Sequence, residues 1–426
     1  MAHWLTKPMK SGGDMNAIQA SVDQARTTPS LDISAKKALV ASTIGYAMDG
    51  YDFLILAFML GAIGADLGLS PAQRGSLATW TLIGAVIGGI GFGILSDYYG
   101  RVRVLTWTIL LFAIFTGLSA FASGYWDLVV YRTIAGLGLG GEFGIGMALV
   151  AESWPAAKRA RACSYVGLGW QAGVLLAALT TPFLLPLVGW RGMFLIGLIP
   201  GFVAFAVRWF VGEPQIFLEH AKAARGGVPL RILIKDVETT RRSLGMLILC
   251  GVQNFGYYGL MIWLPSYLSS RFGYNPLQSA LWISTTILGM AFGIFAFGYL
   301  ADAVGRRPAL FTFQAGAAIM VVVFSQLTGP LALLVGGIVM GVFVNGMLGG
   351  YGTLLAELYP TEARATAENV LFNLGRGIGG FGPFVVGALA ASYSFSAAIG
   401  LLAVIYVIDI IATYFLIPET RGAVLQ

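Results

Sequence analysis

Asp49 and Asp52 stand three residues apart in AMDGYDFLILAFML (Ala47–Leu60), a run that is otherwise apolar. At that spacing two carboxylates share one face of a helix, about one turn apart. Like charges so placed repel and titrate as a unit. Few other ionisable residues sit deep in apolar segments: Glu142 in GLGLGGEFGIG, Asp409, and the arginines Arg132 and Arg376. Each charge at mid-membrane costs roughly 2.5–3.5 kcal/mol on insertion scales, so those present are expected to have work to do. Four acids face two arginines. Desolvation disfavours the charged form of a carboxylate left without an arginine, and such a group is a reversible proton carrier.

Asp49, Asp52 and Glu142 are therefore the expected proton-coupling residues. Either aspartate could instead cap a kink near Gly50 or pair permanently with an arginine. Asp409 has a weaker case, and His3 and His220 both lie in polar segments. Arg376, in NLGRGIGG, offers a planar guanidinium fork matched to a carboxylate. It is the expected anchor for an anionic substrate, the alternative being a permanent ion pair with Asp49 or Glu142.

The elements that must position these groups follow from composition. The chain is 57% hydrophobic and 11% charged, with a mean hydropathy of +0.79. Soluble domains carry roughly 25% charged residues, so this chain lacks a charged skin and reads as a polytopic membrane protein. Its net charge of +6 does not imply nucleic acid, because the basic residues are scattered through short loops. The two cysteines, Cys163 and Cys250, define neither a disulfide framework nor a metal cluster. No motif for an enzyme, a metal site or a nucleotide pocket appears.

Apolar segments near the roughly 20 residues needed to span a bilayer recur twelve times. Twenty of the 26 basic residues fall in segments on one side and three on the other, which places both termini inside. Residues 1–35 are polar and read as a flexible cytoplasmic tail. Residues 36–211 and 243–417 read as two six-helix bundles, joined by a cytoplasmic loop at 212–242 and followed by a cytoplasmic tail at 418–426.

The halves are related. GILSDYYGRVRVL from Gly93 matches GYLADAVGRRPAL from Gly298, an offset of 298 − 93 = 205. The same offset carries ESWPAAKRAR (from Glu152) onto ELYPTEARAT (from Glu357). It also maps Arg376 onto Gln171, Asp49 onto Asn254, Asp52 onto Tyr257 and Glu142 onto Met347. The acids thus belong to the first half and the arginine anchor to the second. Gln171 and Asn254 are expected as neutral hydrogen-bonding partners in the cavity, with Tyr257, Trp170 and Asn373 beside them.

With G-x-L-x-D-x-x-G-R in both halves, RTIAGLGLGG from Arg132, and PETRG from Pro418, the sequence resembles the major facilitator superfamily. MDGYD, GGEFG, ESWP, YYGLMIWLPSYL and NLGRGIGG are most similar to its proton symporters for organic acids, of sialic acid, aromatic acid and nicotinate type. The resemblance implies an all-α membrane fold of twelve transmembrane helices in two pseudo-symmetric six-helix bundles. It implies that Asp97, Arg101, Asp302 and Arg306 act in gating, with Glu152, Arg159, Glu357, Glu362 and Arg364 as partners. Arg132 is grouped with these gate residues.

The expected function is proton-coupled uptake of a small organic acid anion by alternating access. An exporter or antiporter of amphipathic compounds and an uncoupled sugar facilitator are the competing readings. No cofactor is expected, since the proton gradient supplies the drive. The expected partners are the organic anion, protons and the lipid bilayer of the cell (inner) membrane, with no nucleic acid, and the protein is expected to act as a monomer.

Overall fold

The computed structural model describes residues 33–198 and 229–423 apart from 274–275, with scattered positions between 199 and 228 and residue 425. Most of the expected N-terminal tail, part of the sixth span and much of the 212–242 loop lie outside the described residues.

In lipid, a chain can satisfy its backbone polar groups only within helices or closed barrels. The described elements are helical: α1 (Ile33–Leu67), α2 (Pro71–Tyr99), α3 (Arg101–Ser119), α4 (Tyr125–Ser153), α5 (Arg159–Ile196) and α6 (Val237–Phe272). They continue with α7 (Pro276–Val304), α8 (Arg306–Gln326), α9 (Pro330–Gly346), α10 (Leu348–Leu358) and α11 (Arg364–Gly379), and then α12 (Gly382–Ser392), α13 (Phe395–Leu401) and α14 (Ala403–Leu416). Among the described residues, nine stretches are long and apolar enough to cross a bilayer, and α1 adds a further span bent by 47°.

Local chemistry sets the boundaries. Ser70 and Gln73 form a capping box ahead of Pro71. Gly100 (φ 109°) and Gly305 (φ 112°), related by the 205-residue offset, turn the chain between α2 and α3 and between α7 and α8. A side chain at either position would be strained. Gly189 (φ 66°) breaks α5, so that its last residues begin the next span. The α6 helix starts before the expected position 243, because Asp236 accepts from the Thr239 N–H at 2.7 Å and Glu238 pairs with Arg242 at 2.9 Å.

Within the first half, α2 packs on α4 and α1 on α5; within the second, α7 packs on α9 and α6 on α11. The halves meet where α5 touches α7 and α10, and where α11 touches α2 and α4. Glycine permits the closest of these approaches. A Cβ on Gly140 of α4 would run into the Ala85 carbonyl of α2. Arg101, Arg132, Arg306 and Arg364 are among the largest fully buried side chains. Buried charge on that scale has to be paired, and the pairing defines the site.

Candidate functional site

Arg376 sits on α11 near the centre of the protein, 5% exposed. Its guanidinium carbon lies 5.2 Å from the centroid of the Trp170 ring and 5.4 Å from that of Phe372. Tyr258 lines the same pocket as Arg376 and acts on the guanidinium charge. Two small cavities border this arginine. One, about 240 Å³ of space between atoms including its open side, is lined by Tyr46, Trp170, Asn254, Tyr257, Phe372 and Arg376, among others. The other, about 230 Å³, is lined by Asp49, Phe53, Thr81, Leu139, Trp170 and Arg376, among others. Each leaves free room for little more than one water molecule.

The walls are aromatic and amide. Trp170 donates from Nε1 to the Tyr257 hydroxyl at 3.3 Å, and its ring lies 5.3 Å from Tyr46 and 5.9 Å from Phe53. Phe53 of the first half reaches Tyr258 of the second at 6.0 Å. Gln253 donates to the Asn345 side-chain oxygen at 2.5 Å, and Asn254 donates to the Cys250 carbonyl at 2.9 Å. Sequence brings out Trp170, Tyr257, Asn254 and Arg376 through the repeat. It counts Tyr258 only among the aromatics nearby and does not bring out Tyr46, Phe53, Gln253 or Asn345, whose one signal is an aromatic or amide residue in an apolar helix.

The acids separate. Asp49 shares the second cavity with Arg376. Asp52 accepts two bonds from Arg132, at 2.5 and 3.2 Å, and a third from Thr116 at 3.2 Å, all in the buried interior of the first half. Arg132, grouped by sequence with the gate, lies outside both gate clusters described below. Glu142 accepts from Thr108 at 3.1 Å, between α3 and α4, and lines neither cavity. Gln171 is buried, and its amide atoms make no hydrogen bond among the described residues. Asn373 also stays out of both cavities; it donates at 2.9 Å to the Gly140 carbonyl across the seam between the halves, and at 2.9 Å to the Asn369 carbonyl on its own helix. Asp409 is fully buried in the second half and accepts from Gln314 at 2.9 Å.

One face of the bundle is held shut by two matching clusters. Asp97, at the end of α2, accepts from the Thr366 and Ala365 N–H groups at 2.8 and 3.3 Å, and so caps α11 of the other half. It also binds Arg101 at 2.7 Å. Arg101 reaches Glu152 at 3.0 Å and the Thr361 carbonyl at 2.7 Å, while Arg364 of the second half binds Glu152 at 2.7 Å. The second cluster repeats the first at the 205-residue offset. Asp302 accepts from the Ala160 and Arg161 N–H groups at 3.3 and 3.2 Å, capping α5. Arg306 binds Asp302 at 3.2 Å and Glu357 at 2.9 Å, and Arg159 of the first half binds Glu357 at 3.0 Å. Glu362, expected as a partner, is exposed beside the first cluster.

The candidate site is thus a buried arginine among aromatics, with Asp49 lining a cavity beside it and one face of the bundle cross-braced by charge. Residues 42–290 and 272–425 match the model of the Major Facilitator Superfamily. A protein of Haemophilus influenzae named for metabolite transport is 62% identical over 397 residues, 92% of this chain and 98% of that one. A cis,cis-muconate transport protein of Acinetobacter baylyi is 31% identical over 368 residues, 84% of this chain and 88% of its own. The solved structure of the proton:xylose symporter XylE bound to 6-bromo-6-deoxy-D-glucose shares the fold, with a TM-score of 0.79 at 18% identity over 93% of this chain and 98% of that one. The chain belongs to the Major Facilitator Superfamily and is a multi-pass membrane transporter rather than an enzyme.

Proposed function

We propose that this transporter takes up a small organic anion together with protons, with Arg376 as the anchor for the substrate carboxylate. The observation that carries the reading is the position of Arg376: a buried, permanently charged fork between two aromatic faces, bordering both central cavities. A cationic substrate would meet a fixed positive charge there. A flat or amphipathic acid would place its carboxylate on the guanidinium and its apolar body against Trp170, Tyr46 and Phe372. The muconate relative, named for a dicarboxylic acid, supports the same class.

Asp49 borders Arg376 in the second cavity, so it competes with the substrate carboxylate for that charge. A proton on Asp49 removes the competition, and each ligand then favours binding of the other. The Asp52–Arg132 pair is a second place where a proton can replace an ion pair. The latched face carries the basic loops and is read as cytoplasmic, so the state described is closed to the inside, in a cell (inner) membrane protein with both termini cytoplasmic. Protons released at the higher internal pH reset the cycle without a cofactor, and a monomer contains every part. Each net positive charge carried inward gains about 2.3 kcal/mol per 100 mV of membrane potential.

The test is Arg376→Lys and Arg376→Ala in proteoliposomes supplied with nicotinate, benzoate, shikimate and cis,cis-muconate. Loss of a bidentate carboxylate contact should weaken apparent affinity about tenfold or more for whichever acids the native protein takes up. Unchanged affinity for every transported acid would remove the anchor.

A further inference from the structure

Glu368 takes no part in the mechanism so far, and its surroundings set it apart. It lies on α11 one turn beyond Arg364, where the halves meet at the latched face, and it is fully buried. Among the described residues, neither carboxyl oxygen has a hydrogen-bond partner. The charged groups acting on it are Arg364 on its own helix, Glu152 on α4, Arg101 at the start of α3 and Asp97 at the end of α2. From α5, the buried Cys163 thiol also feels it.

The two arginines are already committed. Arg101 serves Asp97 and Glu152, and Arg364 serves Glu152, the Thr361 hydroxyl and the Ala356 and Tyr359 carbonyls. Around Glu368 two positive charges meet two negative ones, and Glu213 adds a further negative charge at Arg101. An ionised Glu368 would be one more negative charge, dry and without a donor among the described residues, which is a state proteins avoid by neutralising the group.

We propose that Glu368 is a proton-binding site built into the latch: it holds a proton while this face is closed and gives it up to the cytoplasm as the face opens. The proposal rests on the reading above that this face is the cytoplasmic gate. Opening separates α11 from α2 and α4 and lets water reach the carboxyl, which then ionises at cytoplasmic pH. The ionised group opposes reclosure until a cytoplasmic proton is recaptured. The open state binds fewer protons, so raising pH favours it, by up to about tenfold per pH unit for one coupled group. The return step is therefore regulated by internal acidity, separately from the protons that accompany substrate.

The experiment is hydrogen–deuterium exchange of the full-length protein in lipid nanodiscs at pH 6 and pH 8. Rates in peptides spanning 156–163 and 361–369 are corrected for intrinsic chemical exchange. The native protein should lose protection in both peptides by about tenfold or more on going to pH 8. Glu368→Gln should cut that pH response severalfold, leaving only what Asp97 in the same cluster contributes, and Glu368→Met provides a second neutral variant should the first fold poorly. Glu368→Asp should retain the pH response. The proposal is overturned if the neutral variants lose protection with pH as the native protein does, or if the native protein shows no change. Substrate plays no part in this readout, so uptake that ignored a protonophore would remove the symport reading and leave this one standing.

Discussion

Asp52 and Arg132 form a buried two-point ion pair between α1 and α4, while Asp49, one turn away on the same helix, borders Arg376 of the opposite half. Two adjacent carboxylates thus answer to different arginines. One arginine sits in the same half as its acid; the other lies across the interface between the halves. Proton binding at the first changes the charge within a half. At the second it changes the attraction between halves.

The intra-half pair gives a stability prediction. Removing one partner of a buried pair strands the other charge at a cost of about 3–5 kcal/mol, whereas removing both spares that cost. Arg132→Ala should lower the thermal denaturation midpoint in detergent sharply, and Asp52→Asn with Arg132→Gln should recover much of the loss. A double variant no more stable than Arg132→Ala would show that the two residues do not act as a unit.

The two latch clusters are equivalent in design and should be equivalent in effect. Asp97 caps α11 and Asp302 caps α5, each across the interface. Losing a capping carboxylate costs about 1–2 kcal/mol, or roughly tenfold in the closed-to-open ratio. In a Cys250→Ser background, Asp97→Ala and Asp302→Ala should each speed alkylation of the buried Cys163 by about that factor. Acceleration by one variant and not by the other would contradict the symmetry of the latch.

The glycine seam separates space from conformation. A Cβ at Gly140 would clash with the backbone at Ala85 and Gly89, while one at Gly61 meets nothing within 4 Å. Gly140→Ala should destabilise by about 1–3 kcal/mol as α2 and α4 move apart. Gly61→Ala should be neutral or gain up to about 1 kcal/mol from helix propensity. The comparison is read from denaturation midpoints of the two purified variants.

Much of this was legible because the gate is written in charges at fixed spacing. Asp97, Arg101, Glu152 and Arg159 recur as Asp302, Arg306, Glu357 and Arg364 at one offset, and the structure pairs them in the same way twice. Composition fixed the helical membrane class for an equally simple reason, the shortage of charge. Which arginine each acid meets was not legible, because Asp52 and Arg132 are 80 residues apart and the choice depends on how α1 packs on α4. Glu368 was hidden by its neighbours. In TEARATAENV it lies at the polar edge of an apolar segment and does not stand out among the mid-span charges, yet Asp97 of the other half caps the helix there and carries Glu368 into the interface.

The central claim, that proton movement drives carboxylate uptake through Arg376, is tested most directly by radiolabelled acid uptake into proteoliposomes under an imposed pH gradient. The panel is nicotinate, benzoate, shikimate and cis,cis-muconate. At least one acid should accumulate above its external concentration when the outside is acidic, collapse to equilibrium on adding a protonophore, and fail to accumulate in Arg376→Ala. Transport of these acids at a rate indifferent to both gradient and protonophore would contradict the account.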